Sequence, residues 1–81
     1  METRIAVLAI IVYNNESAAR INDLLHEYGS CVVGRMGIPY KSKNVYVISV
    51  VVDAPNDVIG ALSGKIGLIP NVSVKTVYSK V

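Results

Sequence analysis

The chain contains no tryptophan, no phenylalanine, one histidine and one cysteine in 81 residues. The single Cys31 excludes an internal disulfide, a Cys-x-x-Cys metal or redox motif, and an iron–sulfur cluster held by one protomer. With His26 it forms the whole set of soft metal ligands, too few to complete a tetrahedral shell without pooling protomers. No metal or cofactor is therefore expected. No Ser–His–Asp or paired-carboxylate set is recognisable, so no catalytic residue is assigned. Long apolar runs are also missing: the longest, Ile5–Val12, falls far short of the roughly 18–20 residues a spanning helix needs. Glu2 beside Arg4, and Tyr13-Asn14-Asn15-Glu16 after the run, make it a poor signal peptide. A cytoplasmic location is expected.

Charge is scarce and dispersed. The net charge is +2, and the lysines and arginines spread along the whole length. Nucleic-acid binding would cluster them on one face, so direct DNA contact is not expected.

Aliphatic residues take the space that charge leaves. The hydrophobic fraction is 52% and mean hydropathy +0.45, and one domain spanning residues 1–81 is expected. A strand buried on one face alternates apolar and polar residues. In Ile5–Val12, however, Ile5, Val7, Ala9 and Ile11 point one way and Ala6, Leu8, Ile10 and Val12 the other. Val45–Val52 repeats the pattern, with Ser49 its only break. Both faces of the sheet's middle require cover.

Asn14 and Asn15 suit a helix N-cap. Ala18, Ile21, Leu24, Leu25 and Tyr28 then recur at helical spacing, and Gly29 is expected as the left-handed stop. Cys31–Gly37 reads as a strand, and Ile38–Asn44 as the connection of a long hairpin. Pro55 suits the first position of a second helix. Its apolar stripe is Val58, Ile59, Leu62 and Ile66, with Gly67 as its stop. Val72–Tyr78 alternates as a last strand. The order β-α-β-β-α-β implies an α+β, ferredoxin-like sandwich, a four-stranded antiparallel sheet with both helices on one face. The other face would measure about 20 Å by 20 Å, roughly 400 Å². An apolar patch of that order marks an interaction surface. A homodimer through this open face is expected.

Several functions hosted by this topology can be tested on the residues. RNA-recognition sheets stack bases on aromatics, and the central strands offer only Tyr46 within their bodies. A small phosphatase of this fold would need a glycine-rich, arginine-bearing anion cradle after the first strand, where Tyr13–Ser17 has neither. Gly60–Lys65 imitates a phosphate loop but is one residue short, continues with Ile66 and lies mid-helix. His26 falls away from the apolar stripe and should face solvent. Cys31 reads as a small buried hydrophobe. For a small enzyme, Arg35, Tyr40 and Asp53 are the only residues worth mutating.

Gly60, Gly64 and Gly67 cluster opposite the second helix's apolar stripe. Each interior glycine costs about 1 kcal/mol relative to alanine. Two readings stand: close approach of a backbone or ligand, in an assembly as large as a tetramer, or tolerated glycines with a C-terminal stop.

With GRMGIPY at Gly34–Tyr40, DAPNDVIGALSGKIG at Asp53–Gly67 and KTVYSK at Lys75–Lys80, nearly the whole chain resembles the bacterial iron-only hydrogenase system regulators. That family's fold is similar to the ACT-type regulatory domain and to the C-terminal domain of nickel-responsive transcriptional regulators. The resemblance implies an oligomeric, non-enzymatic regulatory module acting through a small effector or a protein partner. The alternative is a free-standing, ACT-like metabolite-binding domain without DNA contact. The ribbon-helix-helix and multi-histidine nickel site of the nickel regulators have no counterpart here. The first strand–helix turn, Asn14-Asn15-Glu16, lacks the glycine of amino-acid-binding ACT domains. The expected interaction residues are Arg35 and Tyr40 in the hairpin, Asn56 and Asp57 at the second helix start, and Gly60 and Gly64. Structural alternatives are an acid partner for Arg35 and capping by Asn56 and Asp57.

Overall fold

A computed structural model describes residues 2–80. Strand β1 (Arg4–Val12) leads through helix α1 (Asn15–Glu27) to β2 (Val32–Tyr40). Strand β3 (Val45–Ala54), helix α2 (Asn56–Gly67) and β4 (Val72–Tyr78) complete the chain. The sheet order is β2-β3-β1-β4 with every pairing antiparallel, which is the ferredoxin-like arrangement.

The two doubly apolar strands are the two central ones. Their alternate residues Ala6, Leu8, Ile10, Val12 and Ile48, Val50, Val52, Ala54 are all buried under the helices. Helix α1 contributes Ile21 and Leu25, helix α2 Ile59, Leu62 and Ile66, and Ile69 follows from the loop. The stripe read from the sequence is therefore the buried one, and Ala18, Leu24, Tyr28 and Val58 pack at its margin. Fully burying a Leu or Ile contributes about 1.5–3 kcal/mol, so this layer dominates the fold's stability. Among the described residues one polar side chain, Ser17, is buried, on the same face of α1. Its hydroxyl donates to the Pro70 carbonyl at 2.6 Å and ties α1 to the turn after α2.

Asn14 is the N-cap of α1, its side-chain oxygen accepting from the Glu16 N–H at 2.8 Å. Other terminal expectations are corrected. No glycine has positive φ among the described residues. Helix α1 ends through Tyr28 (φ −95°, ψ 19°) into a 3-10 turn, Gly29–Cys31. Gly29 therefore continues a right-handed path, and Cys31 precedes the strand instead of opening it. Gly67 is the last residue of α2, followed by Leu68 at φ −83°. The left-handed positions belong to Asn44 (55°) and Asn71 (62°), in the hairpin end and the turn before β4, and asparagine tolerates that region. Pro55 is the N-cap of α2, one position earlier than expected.

Strand β2 runs on through Ile38, Pro39 and Tyr40, which were expected as connection. A proline can sit in an edge strand because its missing N–H need not serve the ladder, and Pro39 opposes Tyr46 in register. The real connection is a short 3-10 turn, Lys41–Lys43.

Candidate interaction surface

Strand pleating fixes what the uncovered face presents. Register places Met36, Ser49, Ala9 and Lys75 in one row across the sheet. On one side of it lies the row Ile38, Val47, Ile11 and Ser73, and on the other Gly34, Val51, Val7 and Val77. Ile5, Val7, Ile11 and Val47 are between 36% and 48% exposed although they sit on central strands, whereas their neighbours across the pleat, Ala6, Leu8, Ile10 and Ile48, are at most 1% exposed. The middle row carries the two smallest central side chains, Ala9 and Ser49, so the face has a shallow transverse trough between two aliphatic ridges. The sheet middle thus has one cover in the chain, the helices.

A cleft of about 810 Å³ opens at one end of the sheet, between the β1–α1 turn and the β2–β3 hairpin end. Tyr13, Tyr40 and Tyr46 give it aromatic lining, and Asn14, Glu16 and Lys41 supply amide, carboxylate and ammonium groups. Tyr13 is anchored by its hydroxyl at 3.2 Å from Ser73 Oγ. Tyr46 lies over Gly37, where a Cβ would collide with its hydroxyl oxygen. Gly37 thus lacks a side chain for a packing reason: an aromatic covers a glycine across a strand pair. Such a cleft can hold a small molecule with a flat apolar part and polar ends. It offers no convergent acid–base geometry.

The expected site residues are dispersed. Tyr40 lines the cleft and is 49% exposed. Arg35 opposes Val50 in register and so points to the helix side. Its guanidinium donates to Asn22 Oδ1 at 2.6 Å, bracing β2 against α1, and the partner is a neutral amide in place of the acid that was expected. Asn56 does not cap α2 with its side chain, which accepts from Arg4 Nη1 at 3.4 Å. Asp57 is exposed in the first turn of α2. Arg4 pairs with Ala54 at the end of the sheet opposite the hairpin, so Asn56 and Asp57 are far from Tyr40. Gly60 and Gly64 are exposed, and a Cβ there would meet nothing within 4 Å. Nothing in this chain approaches them closely. Gly67 departs from the pair, since its Cβ would touch Val74 at 3.7 Å, an ordinary contact.

His26 is exposed, and Cys31 is half-buried against the core margin. Among the described residues no three His, Cys, Asp or Glu side chains group as a metal site. No helix there is long and apolar enough to cross a membrane. At the helix ends, the Lys65 ammonium lies 5.1 Å from the Tyr28 ring centroid. Its hydrogen bond with Tyr28 raises its pKa above the ordinary lysine value. Tyr13 and Tyr46 escaped the sequence reading as cleft residues; the tyrosines on both sides of the hairpin were the available signal.

Residues 4–76 match the TM1266-like family, described as iron-only hydrogenase system regulators. The chain belongs to the TM1266-like family. Among solved structures it is similar to protein TM1266 from Thermotoga maritima, itself uncharacterized, at 40% identity and a TM-score of 0.93. That likeness covers 98% of this chain and 100% of the other. The C-terminal domain of MgtC from Mycobacterium tuberculosis shares the fold at 10% identity and a TM-score of 0.75, covering 95% and 88% of the two chains. The divalent ion tolerance protein CutA1 from Ehrlichia chaffeensis aligns at 16% identity with a TM-score of 0.54, covering 100% of this chain and 86% of its own. No curated protein sequence matches the chain. For the TM1266-like family the shared architecture is thus an α+β ferredoxin-like sandwich with one helix-covered sheet face.

Proposed function

We propose that this TM1266-like protein is a non-catalytic regulatory module of the iron-only hydrogenase system, working in the cytoplasm by binding instead of by chemistry. The observation that supports this reading is the aliphatic face on the central strands, Val7, Ile11, Val47 and Val51, in a family described as regulators. Such a surface recognises another protein surface. Its dispersed charge gives no basis for direct DNA contact. Deleting the gene in a host that carries an iron-only hydrogenase should change hydrogenase transcript level and activity by several-fold. Unchanged transcript and activity would contradict the reading.

The cleft favours a second reading, a domain that binds a small metabolite with or without a regulatory target. A planar amphipathic metabolite seated between Tyr40 and the α1 turn would raise the melting temperature by mass action. The Tyr40→Ala variant should lose that shift while keeping its own unliganded melting temperature near wild type. A metabolite panel that moves neither protein would remove this reading.

A further inference from the structure

We infer that the open sheet face is covered by the same face of a second copy, in an isologous dimer with β4 of one copy over β2 of the other. This goes beyond the regulatory reading and does not depend on it. Three observations identify the occupant. First, the face matches nothing else on the described chain. The helix side exposes Glu16, Arg20, Asp23 and Glu27 on α1, and on α2 the small residues Gly60, Ala61 and Gly64 between Asp57 and Lys65, a charged and small-residue surface that presents no rows of Ile and Val. Among the described residues the extended aliphatic surface is the face itself, and self-matching surfaces close as twofold dimers.

Second, the area suffices. Seven residue pairs are shared between β1 and β4, so the common sheet spans about 24 Å along the strands and about 19 Å across four of them. That is a footprint of about 450 Å², more in accessible area because branched side chains corrugate it. Two such faces bury on the order of 1,000 Å², the threshold for a specific interface.

Third, charge selects the stacking. Placing each strand on its own copy would set Lys75 against Lys75, since Lys75 lies at the β4 end of the middle row. A twofold axis along the strands instead sets Lys75 over Met36 at the rim, where its ammonium reaches water. It also sets β1 over β3, so that Ile11 of one copy meets Val47 of the other and Val7 meets Val51. Aligned sheets packed face to face at about 10 Å are a common solution for two aliphatic faces.

Sedimentation equilibrium at about 10 µM, above the micromolar end of the affinity range of protein interfaces, decides the matter with three variants. Wild type should run at twice its 8.7 kDa chain mass or at an even multiple of it. Val47→Glu and Ile11→Glu, each placing a charge on a ridge, should halve that mass while circular dichroism stays native. Ala61→Glu, on the exposed face of α2, should leave it unchanged. A monomeric wild type, or an assembly that survives both ridge variants in native-like protein, overturns the inference. Dissociation by Ala61→Glu alone would overturn it too, and assign the interface to the helix side.

Discussion

Ile10→Ala should lower the stability of the protomer by about 3 kcal/mol, while Ile11→Ala, one residue along the same strand, should change it by less than about 1 kcal/mol. The residue type, the strand and the substitution are the same, and only the face differs. Ile10 is fully buried between the central strands and the helices, so truncation leaves a cavity that the close-packed layer cannot collapse. Ile11 is 38% exposed in the protomer and opposes Val47 and Ser73 on the open side. In the inferred dimer its loss should be felt in association, weakening the contact between copies. Urea unfolding below the dissociation range separates the two effects, and sedimentation above it reads the second. Equal losses of protomer stability would mean that both faces are covered within one chain, contrary to the layer arrangement described.

Gly37→Ala should cost about 1–3 kcal/mol in wild type and close to nothing in a Tyr46→Val background. A methyl group at position 37 would collide with the Tyr46 hydroxyl oxygen and fall 3.0 Å from Cζ and 3.2 Å from Cε1. The ring must leave Gly37 and give up its packing against the core margin. Without the ring the three atoms nearest the new methyl group are gone, and the alanine's lower unfolded-state entropy favours folding slightly. A double-mutant cycle measured by thermal or urea unfolding reads the coupling directly. The same cost in both backgrounds would show that the glycine answers to its backbone and not to the tyrosine.

The parts of this molecule that were legible in its sequence are those governed by periodicity. Eight apolar residues in a row, too few for a membrane and too aliphatic for one wet face, identified β1 and its need for two covers. Helical spacing found the residues that α1 and α2 bury. What stayed hidden depends on neighbours distant in sequence. The strand character of Ile38, Pro39 and Tyr40 comes from their edge position, which makes a proline harmless. Gly29 and Gly67 look like left-handed stops, yet the chain turns at Asn44 and Asn71, where tight connections demand positive φ. Ser17 looks like a polar interruption of a helix until the Pro70 carbonyl arrives to accept from it. Arg35 belongs to a distinctive motif, but its direction is set by register against Val50, and its partner Asn22 lies on another element. The cleft shares this dependence, since the turn and hairpin that line it meet only in the folded chain.

The central claim is that the two faces of one sheet have different covers, the helices on one side and a second copy on the other. Native mass spectrometry of the wild-type protein at micromolar concentration tests it most directly. The account predicts an even-numbered assembly, with the dimer as its smallest abundant species. A spectrum dominated by the 8.7 kDa monomer would contradict it.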